Sequence, residues 1–266
     1  MSDGLEQKSS PTKGFVALID VLGFTNLVNR DSGGERIERY LSCLEQATKN
    51  CNVDSVVFSD SIILSVGGSG PEPLSRLVRA CSHLMWDLLI EGIPLKGAIA
   101  AGSFIRRESS GSVFIAGKAI IEAYHYEQIQ NWIGIVLAPS VIEQVPEIKS
   151  LCSMRDLPND FSKLGEFFAE SEWSARVQRF QTIPFKEESS DLSASYDGLA
   201  VIPIGRYGNF GEIANAIQRA IERLEWLRMI APSPAAQRKY DKPIALLNGL
   251  TYYWLRVARW AQEIKD

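Results

Sequence analysis

The stretch Phe15–Thr25, FVALIDVLGFT, constrains what this chain can become more than any other. Five apolar residues run straight into Asp20, and Val21, Leu22, a glycine, an aromatic and a hydroxyl residue follow at once. That pattern reads as a buried strand ending in a carboxylate and a tight turn. Delivering a carboxylate to the end of a core strand is costly unless something positive faces it. A metal ion or a basic side chain is therefore expected beside Asp20. Gly23, Phe24 and Thr25 read as the start of a helix whose free amides can hold phosphate.

With 266 residues, 45% of them hydrophobic and 23% charged, the chain can bury one principal core and carry an extension. A formal charge of -4 without clustered Lys and Arg argues against a nucleic-acid surface and leaves room for a small anionic ligand. Cys43, Cys51, Cys81 and Cys152 show no C-x-x-C spacing, and His83 and His125 are the only histidines, so neither a zinc site nor a disulfide scaffold is expected. The polar N-terminus does not read as a signal peptide, and no run approaches the roughly 20 apolar residues of a membrane span. A cytoplasmic protein with no membrane partner is the expectation.

Residues 25–30 read as a helical turn, and Ser32-Gly33-Gly34-Glu35 as a capping box opening a helix to about Asn50. Asp54–Phe58 and Ile62–Val66 are two short apolar runs around Ser59-Asp60-Ser61, which predicts a hairpin with Asp60 at its tip. A long helix should run from Leu74 to near Gly92, followed by a closely packed strand over Lys96–Phe104. Val113–Ala116 reads as a brief extended piece, Gly117 as the opening of a helix, Ile133–Leu137 as a buried strand and Pro139–Val145 as a short helix. Further on, strands are expected at Val177–Phe185 and Leu199–Ile204. Two amphipathic helices then follow, one with Ile213, Ile217, Ile221, Leu224, Leu227 and Ile230 on one face, the other over 244–264. They suit either a subunit contact or packing within the chain. The order predicts an α+β fold of the ferredoxin-like split type, with helices on one face of a mixed, largely antiparallel sheet. Residues 1–13 read as a flexible N-terminus, 14–205 as the main domain and 206–266 as a C-terminal helical extension.

Asp20-Val21-Leu22-Gly23-Phe24-Thr25 resembles the D-I-x-G-F-[ST] motif that opens the class III nucleotidyl cyclase catalytic domain, and Ser59-Asp60 resembles that family's second metal carboxylate. The blocks Lys96–Gly102 and Gly117–Ala123 resemble later family motifs, so the likeness extends over roughly residues 14–145. The resemblance implies a cyclase fold and a homodimer with sites shared between subunits. It also implies two divalent cations, Mn2+ preferred or Mg2+, held by Asp20, Asp60 and the Val21 carbonyl. One cation would activate a ribose 3′-hydroxyl and the other clamp the triphosphate, whose β- and γ-phosphates the amides around Phe24 and Thr25 would hold.

Where purine cyclases of this class carry a Lys or Glu four residues before the second Asp, this chain has Val56; where their helix carries Asn and Arg, it has Ile121 and His125. In these departures, and in its compact pattern, the chain resembles the pyrimidine cyclases of bacterial anti-phage defence. That likeness implies cyclic UMP made from UTP, less readily cyclic CMP from CTP, and a separate effector that reads the product. Lys96 is then a candidate contact to base or phosphate, and Lys118 the cation replacing the missing Arg. Two other readings stay open: a purine cyclase with an unusual base pocket, and a non-catalytic cyclase-like binding module. The stretch Ser112–Ala119 is no phosphate loop, having Ser for its first Gly and Ala for its metal-binding hydroxyl. GGSG and GRYGNFG read as plain loops.

Overall fold

Because β1 (Thr12–Val21) is apolar on both faces, it needs cover above and below, and it lies inside the sheet rather than at an edge. The computed structural model describes residues 10–109, 111–148, 182–187, 196–201, 203, 210–249 and 251. After β1 come α1 (Phe24–Arg30), α2 (Glu35–Cys51), the hairpin of β2 (Asp54–Phe58) and β3 (Ser61–Gly67), α3 (Pro71–Ile90) and β4 (Leu95–Ser109). These give the sheet order β2-β3-β1-β4 with all neighbours antiparallel, which is the ferredoxin-like arrangement. The outer half of β4 pairs with β5 (Ser112–Gly117) as a hairpin, so the strand expected to end at Phe104 runs on to Ser109. Next follow α4 (Lys118–Ile129), β6 (Gly134–Leu137), which joins β4 in parallel, and α5 (Pro139–Gln144). β7 (Thr182–Glu187) and β8 (Tyr196–Val201) extend the sheet antiparallel beyond β6. Among the described residues β8 is interior and β7 forms the edge; residues 177–181 of the expected strand lie outside them.

The sheet is covered on both faces, not on one as its element order suggests. Phe15, Ala17, Ile19 and Val21 join Tyr40 and Leu44 of α2 and Leu77, Cys81 and Leu84 of α3 in the main core. The alternate residues pack the other way, Val16 against Phe104 and Ala119, and Leu18 against Ala100 and Ala123. Strand alternation decides this: with both residue sets apolar, both faces must be buried. Alanines on both surfaces let α4 lie close to the strands.

α6 (Phe210–Ile230) packs within the chain against α3, burying Ala216, Ile217, Ala220, Ile221 and Leu224. The expected apolar face loses its end, for Leu227 is half-buried and Ile230 exposed. The short α7 (Pro234–Arg238) follows, then a helix over 241–249 with Ile244, Leu246 and Leu247 buried. The later part of the expected 244–264 helix lies outside the described residues, as do residues 205–209 of the expected loop GRYGNFG, whose last two residues, Phe210 and Gly211, instead begin α6. No helix among the described residues is long and apolar enough to cross a membrane.

The expected capping box is absent. Gly34, in the left-handed region at φ 75°, precedes α2 and supplies no side-chain cap. Instead Asp31 Oδ2 accepts from the amides of Arg36 at 3.0 Å and Ile37 at 2.9 Å. The turn between Asp31 and Gly34 brings Asp31, not Ser32, back over the helix end, where a carboxylate also suits the helix dipole. Replacing Asp31 with Ala should cost about 1 kcal/mol, a fall in Tm of roughly 2–4 °C for a chain this size. Ser32→Ala should leave thermal denaturation unchanged; the opposite ranking would restore the Ser32 cap.

Candidate active site

Asp20 is the penultimate residue of β1, with Ser61 of β3 and Lys96 of β4 as its Cα partners on either side. One residue on, the Val21 amide donates to the Asp60 carbonyl at 2.8 Å, tying the β2–β3 hairpin tip to the end of β1. Ser59 adopts a positive φ of 57° at that tip. The Leu22 amide donates to the Pro94 carbonyl at 3.0 Å, which anchors the outgoing chain to the start of β4. Gly23 then turns through φ 74°, a conformation that side chains other than glycine's resist, and its carbonyl receives the amides of Asn26 and Leu27. The amides of Phe24 and Thr25 come before the first of these helical bonds and so have no partner within α1. Phe24 meets Tyr40 of α2 edge to face at 5.8 Å.

Alternation puts Asp20 on the α4 side of the sheet, in line with Val16 and Leu18. The buried face of α4 runs Ala119, Ala123, Glu127, and Glu127 therefore ends beside Asp20. Lys96 Nζ sits 2.6 Å from Glu127 Oε1, with the two side chains only 13% and 3% exposed. Gln128 Nε2 donates to the other Glu127 oxygen at 2.6 Å. Burial raises the Asp20 carboxyl above its ordinary value; Glu127 and Asp60 push the same way, while Lys96 and Lys239 oppose them. Tyr40, also raised by burial and then by Asp60 to about 12, is 1% exposed, and its hydroxyl has no hydrogen-bond partner among the described residues.

Of the residues singled out in the sequence, Asp20, Val21, Asp60, Phe24, Thr25 and Lys96 meet at this one end of the sheet. Val56 faces the same side: it pairs with Ile63, which pairs with Leu18. Val56, Ser61 and Ile63 form a half-exposed strip. Lys118 does not join them. It opens α4, nine residues before Glu127 and hence about 14 Å of helix rise away. Lys118 and His125 are both exposed. Glu127 and Lys239 escaped sequence reading. A Glu in register with two buried alanines was the available signal for the first; Lys239, from the far end of the chain, offered none.

The donor chemistry suits a hard divalent cation. Asp20 and Asp60 supply carboxylate oxygens near enough to repel, the Val21 carbonyl is adjacent, and a cation would relieve the strain on a carboxyl that burial keeps above its usual range. No group of three or more His, Cys, Asp and Glu suited to hold a metal ion occurs among the described residues, so a ligand bound with the metal would have to complete its coordination.

No family model matches this sequence, and no curated protein does. Among solved structures the chain is similar to the dimeric guanylyl cyclase domain of the RhoGC fusion protein from the aquatic fungus Blastocladiella emersonii, at 13% identity over 74% of this chain and 98% of that one, TM-score 0.48. It is similar to the adenylyl cyclase CyaB from P. aeruginosa at 12% identity over 76% and 100%, TM-score 0.46. It is also similar to the guanylate cyclase domain of RhGC from Catenaria anguillulae in complex with GTP, at 13% identity over 71% and 96%, TM-score 0.45. Likenesses this distant assign neither activity nor substrate to this chain.

The raised Asp20 carboxyl fixes a sign. The folded protein holds the proton to higher pH than the unfolded chain, so stability is lost as pH rises from the ordinary Asp range through the raised value. Asp20→Asn should therefore raise Tm at pH 7, with the gain disappearing below the ordinary Asp range; a variant no more stable than wild type at pH 7 would contradict this. Breaking the pair at Lys96 strands a buried carboxylate: Lys96→Met should cost about 3 kcal/mol in urea denaturation. Adding Glu127→Met to that variant should recover most of the loss.

Proposed function

We propose that this chain is a nucleotidyl cyclase that closes a pyrimidine nucleoside triphosphate, UTP in preference to CTP, into a cyclic monophosphate with release of pyrophosphate. The observation that carries the reading is the Val21 amide bond to the Asp60 carbonyl, which brings together two carboxylate residues forty positions apart at one strand end. Asp20, Asp60 and the Val21 carbonyl would hold two divalent cations, manganese preferred or magnesium. Bound there, the cations supply activation of the ribose 3′-hydroxyl and neutralisation of the triphosphate. The protein's own part is alignment. Phe24 and Thr25 amides receive the β- and γ-phosphates, Val56 offers an apolar wall to the base, and Lys96 turns to substrate only by releasing Glu127.

In this reading the active form is a homodimer with composite sites. Lys118 is too far along α4 to serve Asp20 of its own chain, so it acts across the subunit contact. Supporting that contact, Ile121 and Tyr124 on α4 and Phe114 on β5 are 71%, 54% and 54% exposed, more apolar surface than a solvated helix and hairpin need. The catalytic unit is 14–205 with 206–266 as its extension. The enzyme works in the cytoplasm, and its product is a second messenger in anti-phage defence, read by a separate effector.

Incubation with each of the four triphosphates and manganese tests this directly. Cyclic UMP with pyrophosphate is expected; cyclic AMP or cyclic GMP instead would overturn the pyrimidine reading. No product from any triphosphate, by a folded dimer, would favour a non-catalytic module. Asp60→Asn and Lys118→Ala should each abolish synthesis while leaving the dimer intact, and mixing the two inactive variants should restore it. Failure to complement would remove Lys118 from the partner's site.

A further inference from the structure

A cavity of about 610 Å³ lies behind the turn that follows Asp20. Its walls are the Leu22-Gly23 turn, the start of α2, the link from α3 to β4, and the C-terminal segments from Arg223 to Tyr240. Neither Asp20 nor Asp60 lines it, nor do Phe24 and Thr25, so it is separate from the candidate active site. Its size falls within the roughly 300–1,000 Å³ of small-molecule sites.

The charges are lopsided. Arg36, Arg39, Arg223 and Lys239 face Glu35 and Glu91, and Glu91 is already engaged by Arg39 at 3.2 Å. Half-buried Arg36 has no side-chain partner among the described residues. The half-buried Lys239 side chain has none within bonding distance among the described residues, and its charge acts on Asp20 at longer range.

Arg223 is held as a preset donor. Its guanidinium lies 4.7 Å from the Trp226 ring centre and presses on Gly92, where any Cβ would come within 2.3 Å of it. Gly92 itself has a φ of 77°. Arg223 Nη2 donates to the Glu91 carbonyl at 3.4 Å, and its Nε is buried with no partner among the described residues. Trp226, Leu227 and Ile230, on the same helix as Arg223, supply an apolar wall.

We propose that this cavity is a binding site for a small organic anion with an apolar body, whose carboxylate, sulfonate or phosphate lies among Arg36, Arg223 and Lys239. Two cations without side-chain partners and a third with a donor to spare, beside an aromatic and aliphatic wall, are the recognition chemistry for such a ligand. The site also touches the machinery next door. Leu22 and Pro94, hydrogen-bonded to one another, both line the cavity, and Lys239 both lines it and acts on Asp20. A bound anion therefore bears on the turn that carries the first carboxylate, whatever reaction that carboxylate serves.

The probe is anilinonaphthalene sulfonate, an aromatic sulfonate of suitable shape, titrated by fluorescence against the full chain. Wild type should show one saturable site. Arg36→Gln combined with Lys239→Gln should weaken it at least about tenfold, the loss of roughly 1.4 kcal/mol that one charge-assisted hydrogen bond provides. Trp226→Ala should also weaken it, whereas Phe114→Ser, which removes an exposed aromatic elsewhere, should leave it unchanged. Absence of saturable binding to wild type, or binding indifferent to the two charge substitutions, would overturn the proposal. Because the readout is binding alone, its failure is distinct from a failure to cyclise any triphosphate.

Discussion

Everything at the candidate site depends on one strand being buried on both faces up to the point where it must end in a charge. β1 has apolar residues facing α2 and α3 on one side and α4 on the other, so it can occupy only the interior of the sheet. Its neighbours then become β3 and β4, and the ends of all three strands meet where Asp20 emerges. The Lys96–Glu127 pair is one consequence. A carboxylate cannot be desolvated there without cations nearby, and β4 delivers Lys96 directly across from it. Glu127 in turn satisfies that lysine, which leaves Asp20 with more negative than positive company.

This arrangement costs stability at Asp20. A carboxyl pushed upward by burial and by two like charges is a poor structural group and a good place for a cation. Tyr40, buried with an unpartnered hydroxyl near Asp60, belongs to the same pattern. Fixed dipoles and charges poised before a ligand arrives are the usual means by which a site lowers the cost of reorganisation.

The β1–Asp20–Gly23 block and the hairpin around Asp60 were legible because apolar strands, a terminal carboxylate and turn residues leave strong local patterns. The same local signals misassigned the cap of α2, since Ser32 and Asp31 are both competent caps and the Gly34 turn selects between them. They also left α4 on the wrong face. Its outer surface carries Ile121 and Tyr124, so hydrophobicity alone does not identify its buried side; the alanines and Glu127 that actually face the sheet do so only once β1 and β4 are beside it.

By its sequence alone this chain commits to an α+β core, a carboxylate at the end of its central strand and a second one at a hairpin tip. Those are properties of short segments, set by side-chain period and turn chemistry. Tertiary structure alone decided that the two carboxylates share one end of the sheet, that Lys96 is paired with Glu127, that Lys118 stands apart from its own chain's Asp20, and that the charge of Lys239, from the far end of the chain, bears on Asp20. Each depends on strand order and helix placement, and contacts between distant segments have no local period from which to be read.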